Sequence, residues 1–208
     1  MKDALQIFGN TPVTAKAIAS LYPGISGVHQ KVAALENTGS IIRLKRGLYI
    51  VNPDISGNRI STELVANHLY SPSYISMLSA LRWYGLIPER VVITQSMTVK
   101  HSRSFTNTLG TFEYTCVNRD YFPIGLRQGK TDESTFIIAG PEKALSDLIA
   151  NTAGLNLRYL RDVRHYLEDD LRLDMYEFKT FDREILEQCA KAGKKAGSIQ
   201  MLIRLLEQ

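Results

Sequence analysis

"IIRLKRGLYIVNP", residues 41–53, places Arg43, Lys45 and Arg46 around a single glycine inside an otherwise apolar run. β-Branched and aromatic residues on both sides of Gly47 spell a β-hairpin whose turn the glycine supplies. Ile42, Leu44, Leu48 and Ile50 would give it apolar contacts to an adjoining module, while Lys45 and Arg46 project at the tip. Basic residues at such a tip either keep a sheet edge from pairing with other chains or meet an anion. What precedes the hairpin bears on the choice.

Upstream, "TAKAIASLY" (14–22) offers Thr14 as an N-cap and Ala15, Ile18, Ala19 and Tyr22 on one face, before Pro23 and Gly24 stop the helix. "SGVHQKVAALENTG" (26–39) offers Ser26 as a cap, Val28, Val32 and Leu35 as a buried stripe, and Gly39 as the stop. A short helix is also expected in "KDALQIF" (2–8). Two helices joined by the few residues of "PGIS" and followed by a hairpin predict a winged helix-turn-helix. In that arrangement the start of the second helix enters the DNA major groove. The residues available there are Ser26, Gly27, His29, Gln30 and Lys31, with no acid among them. Gln suits adenine, Lys suits guanine or phosphate, and Gly27 allows close backbone approach. Arg43, Lys45 and Arg46 would reach a flanking phosphate or the minor groove.

Charge distribution agrees with this placement. Of 208 residues, the first 53 hold six basic and two acidic side chains, whereas the rest hold nineteen of each, so the whole net charge of +4 lies in the first quarter. A competing account treats these residues as solvated polar positions and edge protection, and winged helices also serve as protein-binding modules. Concordance of helices, turn, hairpin and charge favours DNA.

"NPDISGNRIS" (52–61) is the strongest linker signal, which predicts domains at 1–53 and 62–208. Helical periodicity recurs in "STELVANHL", "SMLSALRWYG", "PEKALSDLIANT" and "LRYLRDVRHYLED", and around "REILEQCAKA" and "SIQMLIRLLE" near the end. Strand-like runs occur in "RVVITQ", "MTVK", "TFEYTCV" and "TFIIA". The expected fold class is α+β: a winged helix-turn-helix followed by a mixed domain with a small sheet and peripheral helices. With 44% apolar residues, no membrane-length apolar stretch and a start too short and polar for a signal peptide, a soluble cytoplasmic protein is expected. Cys116 and Cys189 lie far apart and fit reduced thiols.

Catalytic and metal-ligating patterns are weak. His29, His68, His101 and His165 are dispersed, and "HLYSPSYISMLSALRWYG" (68–85) lacks a GxSxG elbow and reads as core helix packing. Asp169 and Asp170 are adjacent and would end a helix. No catalytic, cofactor or metal residues are expected. Two basic clusters are candidates for partner binding. Lys100, His101 and Arg103 lie in the first half of an apparent hairpin, where edge protection is the alternative. Arg158, Arg161 and Arg164 recur every three residues on a helix, where Asp162 and Glu168 can pair with Arg158 and Arg164.

"YISMLSALRWYGLIPE" (74–89), "ITQSMTVKHSRSFTNTLGTFEYTCV" (93–117) and "PEKALSDLI" (141–149), in that order behind a hairpin "RLKRGLYIVNP", resemble the AbiEi-type antitoxins of type IV toxin-antitoxin systems. The resemblance covers residues 1–170, and the combination is more specific than any one piece. It implies a phage-defence repressor that binds inverted repeats in its own promoter and neutralises a nucleotidyltransferase-like toxin encoded beside it. It also implies a monomer that binds DNA cooperatively, with no cofactor. The toxin-facing surface does not carry over as a motif. Two other functions are open from the residues: a stand-alone regulator sensing a small ligand, and a nucleic-acid-processing enzyme, for which Glu142 beside Lys143 lacks the usual metal-site spacing.

Overall fold

Thr14 adopts extended backbone and its hydroxyl accepts a hydrogen bond from Ala17 N at 3.2 Å, so helix α1 (Ala15–Ser20) begins where a capping residue allows it. The computed structural model describes residues 3–24 and 27–208; the cap expected at Ser26 lies outside them. A 3-10 turn, Asp3–Phe8, precedes α1. Helix α2 (Val28–Asn37) has Gly27 at its N-cap position without a side-chain cap. It stops just before Gly39, whose φ of +68° only glycine adopts cheaply. Val32 is its buried residue, with Leu35 partly buried beside it. Val28, expected in the buried stripe, is 38% exposed, because it sits in the first turn beyond the reach of the hairpin core.

The hairpin forms as β2 (Ile41–Lys45) and β3 (Leu48–Val51), with Gly47 at φ +79° in the turn. A two-residue strand β1 (Val13–Thr14), which sequence periodicity does not reveal, pairs with β3 and makes a three-stranded sheet of order β1-β3-β2. Both faces of the hairpin are covered. Ile41, Tyr49 and Val51 join Leu5, Ile18 and Val32 in a small N-terminal core, whereas Leu44, Leu48 and Ile50 belong to the large core of the following residues, with Ile42 packed against it. The apolar contacts expected from Ile42, Leu44, Leu48 and Ile50 therefore go to the larger body, and the small core uses the alternate residues.

A β-bulge decides where the basic residues point. Pairing runs Arg43↔Tyr49 and then Lys45↔Leu48, so Leu44 is the extra residue. Strict alternation would put Lys45 on the Arg43 face, but the bulge resets the phase and turns Lys45 with Leu44 and Leu48 toward the larger body.

Residues 52–61 are held by bonds within the segment and to residues distant in sequence. Asn52 caps a short helix α3 (Pro53–Ser56), and the buried Asn10 amide reaches Arg59 O, Glu133 O and Ser134 Oγ at 3.2, 3.1 and 2.8 Å. The remainder contains a six-stranded mixed sheet built from β4 (Ser73–Ile75), β5 (Ile93–Thr98), β6 (Arg103–Asn107), β7 (Gly110–Cys116), β8 (Leu126–Lys130) and β9 (Thr135–Ala139). Its order is β6-β7-β5-β4-β9-β8, with β5/β7 and β4/β9 parallel. The two runs read as separate strands around residues 90–100 form one strand, β5. Strand β4 lies inside a stretch read as helix packing.

Helices α4 (Thr62–Leu69), α5 (Met77–Trp83) and α6 (Pro141–Asn151) belong to this body. They are followed by α7 (Leu160–His165), a π-turn Tyr166–Asp170, α8 (Met175–Phe178), α9 (Arg183–Ala192) and α10 (Ala196–Leu206). The whole is a mixed α+β chain with two sheets. Among the described residues no helix is long and apolar enough to cross a membrane.

Candidate nucleic-acid interface

The start of α2 is exposed and free of acid. Val28, His29 and Gln30 are exposed, Lys31 is half-buried with its ammonium 4.6 Å from the centre of the Tyr22 ring, and the first turn holds no acidic residue. The Gln30 amide folds back over Gly27: a Cβ at position 27 would lie 2.3 Å from Gln30 Oε1. Glycine thus lets the glutamine sit against the start of the helix, where backbone N–H groups lack intrahelical partners.

Arg43 is already engaged. Its Nε donates to Glu36 Oε2 at 3.1 Å, its guanidinium lies 5.8 Å from the Tyr49 ring centre, and the bond to Glu36 raises its pKa further above the ordinary arginine value. Arg43 and Glu36 form a partly solvated neutral pair spanning α2 and β2, a poorer phosphate ligand than its sequence position suggests. Arg46 is exposed and, among the described residues, has no carboxylate partner.

Lys45 does not project at the tip. The hairpin end is clamped on three sides: Ala15 N donates to Gly47 O at 3.1 Å, Asn107 Nδ2 to Leu44 O at 3.1 Å, and Lys45 Nζ to Leu69 O at 2.6 Å. Lys45 is half-buried against the body, 5.8 Å from the Phe105 ring centre. Burial lowers its pKa, and the charges of Lys100 and Arg103 lower it further. The structure therefore brings together residues that are far apart in sequence. Lys100 Nζ donates to Ser71 O and lies 5.2 Å from the Tyr70 ring centre, and the Arg103 guanidinium lies 4.9 Å from that of Phe105. Tyr70 and Phe105 touch each other, with centroids 5.6 Å apart. His101 is exposed in the loop between Lys100 and Arg103.

The second basic group is not one stripe. Arg158 lies before α7 rather than on it, so it cannot share a helical face with Arg161 and Arg164. Its expected ion pair with Asp162 is absent because that carboxylate caps the helix, accepting from the backbone N–H groups of Arg158 and Tyr159 at 3.3 and 3.1 Å. Arg161 pairs with Asp162 at 3.6 Å, and Arg164 with Glu168 at 3.5 Å as the spacing predicts. His165 Nδ1 lies 2.6 Å from Asp169 Oδ2, and this hydrogen bond, reinforced by the charges of Asp169 and Asp170, raises the histidine pKa. A raised folded pKa contributes stability at low pH that is lost as pH rises through it. In an NMR titration His165 should therefore titrate above about 6.5, the unperturbed histidine value, and Asp169→Asn should bring its midpoint down.

Sequence reading missed the most unusual polar cluster. Helix α6 is buried nearly all round, and Lys143 and Asp147 on it are fully buried, 3.7 Å apart. Lys143 Nζ donates to Tyr121 O at 2.9 Å, while Asp147 Oδ2 accepts from Ser76 Oγ at 2.6 Å and Tyr74 OH at 3.1 Å. Burial pushes the Asp147 carboxyl up and the Lys143 ammonium down, against the pull of each on the other. Glu142 is buried too, facing Arg127 at 3.2 Å and accepting from Asp182 N at 3.1 Å. Its oxygens are occupied by a structural pairing. The i to i+4 spacing of Lys143 and Asp147 on a helix was the available signal. Among the described residues no three His, Cys, Asp or Glu side chains converge as metal ligands. Near this network, a hollow of about 230 Å³ is lined by Cys116, Asn118, Tyr121, Asn151 and Gly193.

No protein-family model matches the chain, and no match is found among curated proteins.

Proposed function

We propose that this chain is a double-stranded-DNA-binding transcriptional autorepressor whose residues 1–53 act as a winged helix-turn-helix. The observation that carries the reading is the acid-free start of α2, where His29 and Gln30 are exposed, followed by a hairpin that exposes Arg46 in its turn. A helix end presented this way fits the major groove, and a cation on the adjoining hairpin fits a flanking phosphate. The net positive charge of the first quarter supports the same partner. On the resemblance of residues 74–89, 93–117 and 141–149 to AbiEi-type antitoxins, the following body neutralises a cognate nucleotidyltransferase-like toxin in the cytoplasm, without a cofactor.

Two kinds of variant separate positioning from reading. Arg46→Ala should weaken upstream and random duplexes alike and lower the slope of log K against log salt by about one unit. His29→Ala or Gln30→Ala should instead reduce the preference for the upstream duplex by ~1–3 kcal/mol for a bidentate base contact. Fluorescence anisotropy with labelled duplexes at several salt concentrations measures both. Unchanged binding in all three variants would remove this face from the account. For the antitoxin part, co-expression with a nucleotidyltransferase encoded beside this reading frame should restore growth that the enzyme alone stops.

A further inference from the structure

Between helix α4 and strands β8 and β9 the surface is hollowed into a groove of about 460 Å³, the size of a small-molecule site rather than of a docked helix. We infer that this groove binds an uncharged small molecule with an apolar body and a hydroxyl at one end, of which a phenol is the simplest example. None of the residues proposed above to meet DNA lines it, so the site stands or falls apart from the DNA-binding reading.

The lining sets the class of ligand. Among the described residues no Asp, Glu, Lys or Arg side chain lines this groove, whereas Arg59, Glu63, Asp132 and Glu133 line one hollow elsewhere and Arg161, Asp162 and Asp170 another. A charged ligand would lose its water here without meeting an opposite charge. The apolar wall is bare: Ile137 is 42% exposed, and Phe122 and Leu126 are only half-buried. An apolar body laid over them would take that surface out of water. The floor does not invite an added peptide strand. Strand β4 is short, and Asn67 fills the gap it leaves beside β9: its Oδ1 accepts from Ile137 N at 2.6 Å and its Nδ2 donates to Ile137 O at 3.3 Å. With both main-chain groups of Ile137 satisfied, a ligand in the groove meets side chains.

Register places the hydroxyl end. Strands β4 and β9 run parallel with Ile75 opposite Ile138, which puts Thr135 level with Pro72 and next to Ser71. Leu126 pairs with Ala139, at the other end of β9. The groove thus has a polar end, formed by His68, Ser71 and Thr135, and an apolar end beyond Ile137. Among the described residues the Ser71 and Thr135 hydroxyls and the His68 imidazole make no hydrogen bond; at Ser71 it is the carbonyl that is engaged, by Lys100. His68 lines the groove while staying exposed, and burial of part of its ring lowers its pKa. At neutral pH it is therefore uncharged and offers one donor and one acceptor nitrogen, which suits a hydroxyl better than a carboxylate.

The test uses the full chain and two probes of similar shape, thymol as the uncharged phenol and cuminate as the carboxylate, in isothermal titration calorimetry at neutral pH. The expected result is saturable binding of thymol at one site, with cuminate weaker by roughly tenfold or more. Ile137→Asp, which puts a carboxylate into the apolar wall at an exposed position, should weaken thymol by about tenfold or more. His68→Ala should weaken it by about fivefold, the loss of one neutral hydrogen bond. Circular dichroism and a urea midpoint confirm that both variants fold. No saturable binding of thymol, cuminate bound as tightly as thymol, or unchanged affinity in either variant would overturn the inference. Absence of thymol binding, with a chain that sediments as a dimer and becomes a monomer on Ile137→Asp, would give the groove to a second copy instead.

Discussion

Lys143→Met should destabilise the protein by about 3 to 5 kcal/mol, the range for breaking a buried ion pair from one side. The cost does not come from losing an attractive contact alone. Lys143 and Asp147 are both fully buried, and Asp147 Oδ1 has no hydrogen-bond donor of its own. Its compensation is the ammonium 3.7 Å away. Removing the lysine leaves a carboxylate in an apolar interior, where it must either stay charged at great cost or take up a proton. Asp147→Asn, tested alone, strands the ammonium and leaves Ser76 and Tyr74 facing an amide. Because the two residues share one network, the double variant should be more stable than the sum of the single losses by ~0.5–3 kcal/mol. Urea denaturation of the four proteins measures this coupling. Strict additivity would mean that the pair does not act as a unit.

Ile50→Ala should cost about 2 to 5 kcal/mol, the usual range for emptying a buried aliphatic site. Ile50 is fully buried and, with Leu44 and Leu48, carries the hairpin face that packs into the large core. The same change should lower DNA affinity, because the seat of Lys45 on Leu69 O depends on that packing. Denaturation gives the first quantity and anisotropy the second. A loss of stability with full DNA affinity would show that hairpin docking and the DNA surface are independent.

Much of the helical framework was legible because its signals are local. Thr14 and Gly39 mark helix ends by side-chain capping or by a positive φ, and these devices need nothing from the rest of the chain. What was not legible depends on partners distant in sequence. Strand β4 has three residues, all buried on both faces at the centre of a sheet, so it shows no alternation. Strand β8, "LRQGK", has little strand character; Gly129 fits there because the Phe136 ring of β9 occupies the space a Cβ would need, 2.4 Å from ring Cε2. Strand β1 is too short to carry a period.

The candidate site divides in the same way. Exposure of His29, Gln30 and Arg46 follows from helix and turn periodicity. Lys45, expected at the tip beside Gly47, turns inward because of a bulge at Leu44 that is invisible to a period of two. The helix expected to carry Arg158 begins two residues later, where Asp162 caps it. The meeting of Lys45 with Lys100 and Arg103 had no signal in sequence at all. It arises from docking of one sheet against another.

The central claim is that the acid-free start of α2 and the hairpin that follows this helix bind double-stranded DNA. The most direct measurement is the salt dependence of binding by the unaltered full chain to the duplex upstream of its own reading frame and to a random duplex of equal length. The account predicts measurable binding to both, a linear fall of log K with log salt for each, and tighter binding to the upstream sequence. Absence of binding to either duplex at low salt would contradict it.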